Sequence, residues 1–374
     1  MLIPLHLMEP WLIKHQDAPY NLAGSGVLDQ TLKELLDITK VDVEELLRLD
    51  FTDNETHGSR QLRNEIAALY NGIDPDSILV THGTSEGLFV YFHVRYCQGA
   101  NVVVPVPAFQ NLHEVPRYLG YEVRLLPLRA EDRFRPNLKE LEGLVDHNTK
   151  IIVLNNPQNP TGILYSDEEV LTIIHLAERS GAEILADEHY RFIPYDDDVE
   201  LIPSLYGRSP NVVATGSMIK SFGCAGLRVG WIIGSRDLIA ACRDLKDYTT
   251  HTMCSINDYL AQALLKNWHK IAARYRQWIT SNVSQFGQFV AHHSSLFDWV
   301  EPQAGIVALP FFKDKTINST DFAKALVAQT GVCIMPGEAL KMPGYFRIGF
   351  GIPPDAFSTA LKLWSEFVQA NRRW

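Results

Sequence analysis

The chain has 374 residues, 46% hydrophobic and 21% charged, with 34 basic side chains against 44 acidic ones and a net charge of −10. That length suits one large core with a smaller one beside it, and the acidic balance argues against nucleic acid as a partner, because phosphate backbones are held by basic surface. No run approaches the ~20 apolar residues of a membrane helix, and the apolar opening MLIPLHLMEPW lacks the basic leader of a secretory signal.

From the N-terminus, the first 45 residues show no strand-helix rhythm and are expected to pack with the C-terminal tail. Short β-branched runs then recur: ILVTH (78–82), NVVVP (101–105), IIVLN (151–155), EILAD (183–187), NVVATG (211–216) and VGWIIG (229–234). Helical segments lie between them. Apolar strands alternating with helices imply a mostly parallel α/β sheet covered on both faces. One such helix is expected over 166–180, where Ser166 precedes Asp167, Glu168 and Glu169, acids favoured by the helix dipole. A long amphipathic pattern covers 255–290. Beyond it the tail reads as a smaller α+β unit, with a helix near 319–329, the runs VCIMPG and YFRIGF, and a last helix to Trp374. Cys97, Cys224, Cys242, Cys254 and Cys333 form no C-x-x-C pair, which fits free thiols in the cytoplasm better than a disulfide framework or a metal site.

Several strand ends carry residues with chemical potential. In THGTSEG, Gly83, Thr84 and Ser85 open a helix, where backbone N–H groups and two hydroxyls suit an anion such as phosphate, although Ser and Thr cap many helices. Phe109, in PVPAF, is either a core residue or a face for an aromatic ligand. In NNPQNPTG the proline-fixed loop sets Asn159 at a strand's carboxyl end, where open α/β sheets bind ligands. Asp187 ends a strand, and Tyr190 follows it. Lys220 lies in TGSMIKSFGCAGLRVGW with Ser217 before it and Arg228 eight residues after. A lone lysine is usually solvated, but one held among small, uncharged neighbours can lose its proton and form imines. Arg347, inside YFRIGF, needs either a structural ion pair or a ligand carboxylate. Among the histidines, His6, His15, His57, His82, His189 and His251 are candidates for a pocket.

Taken in order, N-P-T-G, D-x-x-Y and S-x-x-K with its later arginine resemble the class I/II aminotransferases among the fold-type I pyridoxal-phosphate enzymes, over about residues 20–350. The resemblance implies a seven-stranded, mostly parallel sheet in a cofactor-binding domain of residues 46–285, with residues 1–45 and 286–374 forming a smaller α+β domain. It implies that Lys220 binds pyridoxal 5'-phosphate as a Schiff base and then carries a proton. Asp187 would pair with the pyridine nitrogen, Asn159 and Tyr190 would bond the ring oxygen, and Phe109 would stack on the ring. Gly83, Thr84, Ser85, Ser217 and Arg228 would hold the phosphate. Arg347 would bind the substrate carboxylate, with the backbone at Gly24 and the Asn159 amide beside it. The implied activity is amino transfer between an amino acid and a keto acid, in a cytoplasmic homodimer with no metal.

The segment FTDNETHGSRQLR departs from the family pattern, with Thr52 or Asp53 where a tyrosine commonly reaches the partner's phosphate, and Ile219 stands where serine is common. A narrower similarity, in GSGV, THGTSEGL and GLRVGW, is to the capreomycidine synthases, a branch that eliminates a β-substituent and closes a ring. Elimination, cyclisation or C–S lysis is therefore the alternative chemistry. A purely ligand-sensing role is the third reading; the chain has no basic stretch to support a DNA-binding module.

Overall fold

The computed structural model of the chain describes residues 3–371. Its main sheet has seven strands: β1 (Ile78–His82), β2 (Asn101–Val106), β3 (Glu122–Pro127), β4 (Thr149–Asn155), β5 (Glu183–Asp187), β6 (Val212–Ser217) and β7 (Val229–Ile233). They lie in the order β1-β7-β6-β5-β4-β2-β3. All share one direction except β7, which runs antiparallel to both β1 and β6. The six apolar runs coincide with six of these strands to within two residues at each end. The seventh, β3, is an edge strand whose sequence EVRLLP leaves Glu122, Leu125 and Pro127 exposed, so it presents no continuous apolar run.

Burial on both faces explains the unbroken apolar strands. Side chains alternate across a strand, and Ile152 and Leu154 of β4 enter one core while Ile151 and Val153 enter another. The covering helices include α1 (Thr84–Arg95), α2 (Asn111–Leu119) and α3 (Asp167–Ser180). At the start of α3 the Ser166 hydroxyl accepts from the Glu169 N–H at 3.2 Å, and the Ser166 N–H donates to the Glu169 carboxylate at 2.7 Å. This reciprocal cap satisfies two otherwise unpaired donors, and Gly181, at φ 73°, ends the helix.

The pattern over 255–290 is not one helix but two, α4 (Ser255–Lys266) and α5 (Trp268–His292). The break falls at Asn267, whose side-chain amide bonds the Ala263 carbonyl at 3.0 Å. Asparagine competes in this way with the helix's own backbone bonds. The tail adds β8 (Val307–Ala308), α6 (Ser319–Thr330), β9 (Met335–Pro336), β10 (Phe346–Gly349) and α7 (Pro354–Ala370), with β10 between β8 and β9 in an antiparallel sheet. The helix expected to reach Trp374 is described to Ala370; Trp374 lies outside the described residues.

The N-terminal segment threads along this tail. Tyr20–Asn21 pairs in parallel with Val332–Cys333, the Gly349 N–H donates to Leu22 O, and the Leu28 N–H donates to Gly351 O, both at 2.8 Å. Leu32–Thr39, by contrast, lies against α4. Among the described residues no helix is long and apolar enough to cross a membrane.

Candidate active site

The parallel strands end at one edge of the sheet, and β7, being reversed, starts there. That edge therefore gathers Gly83 after β1, Phe109 after β2, Asn155 at the end of β4, Asp187 at the end of β5, Lys220 after β6 and Arg228 just before β7. Beside it is a cavity of about 210 Å³ whose walls include Thr84, Ser85, Phe109, Asn159, Asp187, Tyr190, Lys220, Arg228 and Arg347. Residues singled out from six separate motifs of the sequence thus line one cavity.

At one point in that wall is Asp187, 4% exposed. Its carboxylate accepts from the Thr215 hydroxyl and from the Asn155 amide, both at 3.2 Å, and among the described residues it has no cationic partner. Burial, aided by neighbouring Glu188 and opposed by the Thr215 bond, pushes its carboxyl up to about 7. Arg347, on β10, is 2% exposed. It donates to the Ala23 carbonyl at 2.8 Å and touches the Asn159 oxygen and the Met8 sulfur at 3.5 Å; Nε is left without a partner. The structural ion pair weighed from the sequence is absent among the described residues. Asp187 and Arg347 are a buried carboxyl and a buried guanidinium in one cavity, each lacking a counter-ion, and the charged form of each is costly there unless a ligand supplies one.

Lys220 makes no side-chain hydrogen bond or ion pair among the described residues. Burial, then the positive charges of Arg347 and Arg228, lower its pKa below that of a solvated lysine. The GSGV segment passes directly over it: the Val27 N–H donates to the Lys220 carbonyl at 2.8 Å, and a Cβ on Gly26 would stand 3.1 Å from Lys220 Cδ. That close approach accounts for glycine at position 26.

Gly83, at φ 78°, turns β1 into α1. Its backbone is covered by the Arg228 guanidinium, 2.6 Å from where a Cβ would lie. The hydroxyls of Thr84 and Ser85 bond to no described residue. Two free hydroxyls, a helix N-terminus and a guanidinium without an acidic partner form an anion cradle. Gly230 packs behind it so tightly that a Cβ there would lie 2.7 Å from Gly83 C and Thr84 N.

Other expected residues are placed differently. The Ser217 hydroxyl, buried, accepts from the Ile219 N–H at 3.1 Å and holds the turn before Lys220 without lining the cavity. Gly24 is also outside the wall; its carbonyl packs against Gly349, while the neighbouring Ala23 carbonyl reaches Arg347. The Tyr190 phenol donates to the Ser25 carbonyl at 2.8 Å, and burial raises its pKa to about 12. Of the six candidate histidines only His189 lines the cavity, its pKa lowered to about 3 chiefly by burial and then by Lys220 and Arg228. His6 instead packs on Phe109, His15 on Trp11, and His82 and His251 pair with Glu86 and Asp247. The wall also contains Ile219, noted from the sequence only as a departure from the family pattern, and Met8, Glu9, Leu12, Ser25 and Asn155, which were not proposed as site residues. Asn155 opens the NNPQNPTG motif; its side-chain oxygen Oδ1 accepts from the Asn159 N–H at 2.6 Å and its side-chain amide donates to the Asp187 carboxylate at 3.2 Å. Thr52 and Asp53 are exposed and outside this chain's cavity. No cluster of His, Cys, Asp or Glu among the described residues could hold a metal ion.

A family model for aminotransferases of class I and II matches residues 48–362. Capreomycidine synthase of Streptomyces vinaceus is 28% identical, covering 99% of this chain and 95% of its own length. An aspartate aminotransferase of Thermotoga maritima is 26% identical over 80% of this chain and 77% of its own. Among solved structures, a PLP-dependent aminotransferase from Streptococcus suis matches with a TM-score of 0.92 at 26% identity, covering 99% of both chains. The PLP-dependent cyclase OrfR matches with the same TM-score and identity, covering 99% of this chain and 98% of its own.

Proposed function

The chain belongs to the class I and II aminotransferases, a pyridoxal-phosphate enzyme family, and from that premise we propose that it moves the amino group of an amino acid to a keto acid. The observation that carries this reading is the pair of buried ionisable groups without a counter-ion, Asp187 and Arg347, in one cavity with Lys220, whose pKa is lowered by burial. These residues fit the cofactor and an amino acid together. A pyridinium nitrogen supplies the cation Asp187 lacks, and an α-carboxylate supplies the anion Arg347 lacks.

Bound there, pyridoxal phosphate supplies an electron-withdrawing ring that acidifies the substrate's α-carbon. Asp187 keeps the ring nitrogen protonated. Phe109 and His189 would bound the space for the ring, Thr84, Ser85, Arg228 and the Gly83 turn would hold the phosphate, and Asn159 and Tyr190 would hold the ring oxygen. Arg347 fixes the carboxylate and so orients the Cα–H bond. Lys220 Nζ would anchor the cofactor covalently and, once the substrate amine had taken its place, would be the base positioned to take the Cα proton. Residues 46–285 form the cofactor-holding unit in this reading, with residues 1–45 and 286–374 closing over the substrate in a homodimer.

The second reading, elimination of a Cβ substituent with or without ring closure, uses the same proton removal. It is favoured by the capreomycidine synthase relative and by OrfR, both of which match nearly the whole chain. Incubating the loaded enzyme with a panel of amino acids and no keto acid separates the two. Amino transfer predicts conversion of the cofactor to its amine form with one equivalent of keto acid. Ammonia or a cyclic product, with the cofactor unchanged, would establish elimination instead.

A further inference from the structure

A second cavity takes no part in the proposed reaction. It measures about 520 Å³ and shares no wall residue with the cavity around Lys220. It lies at the break between α4 and α5, where Lys266 ends one helix and Trp268 opens the next, and both line it. Its deepest wall is made by Leu69 and Tyr70, just past the helix Arg60–Ala68, and by Arg191, from the turn after β5; all three are buried.

Arg191 is 5% exposed, and a buried guanidinium is costly unless its donors are used. Nε donates to the Ile202 carbonyl at 2.8 Å and Nη2 to the Leu69 carbonyl at 3.2 Å. Nη1 donates to no carbonyl or carboxylate among the described residues. The acid beside it, Glu188, stands 3.5 Å from Nε, too long for a good hydrogen bond. That carboxylate is already committed, accepting from the Ser204 hydroxyl at 2.7 Å and from the Leu205 N–H at 2.6 Å. The guanidinium is also held in place from one side. Its carbon lies 4.4 Å from the centre of the Tyr70 ring, and the Tyr70 oxygen accepts from Trp231 Nε1 at 2.9 Å. Tying down the loop over 201–205 accounts for Nε and Nη2. It does not account for spare donors on an arginine in the wall of a cavity of this size.

The rest of the wall is aromatic and basic. Tyr206 and Trp268 are half-buried there, and Trp268 is backed by Phe192, with 5.8 Å between ring centres. Lys266, at the exposed rim, has only Glu65 at 3.7 Å, a loose pair that contributes little and is readily redirected.

We propose that this cavity binds a small molecule with a flat aromatic body and an anionic group. The anion meets the guanidinium of Arg191, the flat body lies beside Tyr206 and Trp268, and Lys266 adds positive charge at the rim. A fixed guanidinium fork suits such an anion, and aromatic walls suit such a ring. The inference does not rest on the proposed reaction.

The test is a ligand-observed NMR titration of the cofactor-loaded enzyme with indole-3-acetate and with its neutral analogue indole-3-acetamide. Indole-3-acetate is expected to half-saturate at about 1 mM or below, and the amide to bind about tenfold more weakly. Trp268→Leu and Arg191→Lys should each weaken indole-3-acetate about tenfold. Lys266→Gln, an exposed substitution that leaves the core intact, should weaken it about threefold. Arg347→Ala, in the other cavity, should leave it unchanged. No saturable binding by about 10 mM, equal affinity for the acid and the amide, affinity unchanged in both Trp268→Leu and Lys266→Gln, or binding lost in Arg347→Ala would each overturn the inference.

Discussion

At Asp187 the environment decides the protonation state. Its neighbours Thr215 and Asn155 are neutral, so without a cation the ionised form is disfavoured and the carboxyl rises from 3.8 to about 7. A raised acid pKa means that the native state holds its proton more tightly than the unfolded chain does. The associated stability is fully present below about pH 4, is lost as pH rises, and is gone above about pH 7, a span worth roughly 4 kcal/mol. Asp187→Asn removes the titration without changing the shape. In the cofactor-free protein, the stability of Asp187→Asn relative to wild type should therefore grow between pH 5 and pH 8, by roughly 2–3 kcal/mol. Urea unfolding at several pH values measures this, and a difference independent of pH would contradict it. Asp187 was legible from the sequence as a strand-end acid, but its lack of a cation was not, because that depends on what packs around it.

At the level of elements, the reversed strand β7 builds the anion cradle. It presses Gly230 against the turn between β1 and α1 and brings Arg228 over Gly83. A methyl group at 230 would meet Gly83 C and Thr84 N at 2.7 Å and push the turn away from the phosphate. Overpacking of this kind typically costs about 1–3 kcal/mol. Gly230→Ala is thus expected to weaken pyridoxal-phosphate affinity about tenfold in an equilibrium titration of the cofactor-free protein. Gly226→Ala, where a Cβ meets nothing within 4 Å, should leave it unchanged. Equal affinity for wild type and Gly230→Ala would show that the turn does not set the cradle. The buried strands and the Ser166 cap were readable because a strand covered on both faces needs an unbroken apolar run and a helix start needs a polar cap. The edge strand β3 and the helix break at Asn267 were not. An edge strand has no such run, and a single asparagine within a continuing amphipathic pattern leaves little trace.

Across the whole molecule, the site joins segments far apart in the chain: Met8 and Arg347, in contact, are 339 residues apart in sequence. Most of the motif residues were recoverable because they sit beside strand ends of the main sheet, which gather at one edge, while Arg347, on β10, stood out as a charge within an apolar run. Met8, Glu9 and Leu12 come from the segment without strand-helix rhythm. They reach the cavity only because residues 20–28 are tied along the C-terminal sheet, a pairing set by tertiary packing rather than by local pattern. The central claim is that all these segments converge on Lys220 as the cofactor's covalent anchor. Borohydride reduction of the loaded enzyme, followed by peptide mass mapping, tests it most directly. A pyridoxyl-phosphate mark on the peptide carrying Lys220, absent in Lys220→Ala, is predicted. A mark on a different lysine, or one that persists in Lys220→Ala, would contradict it.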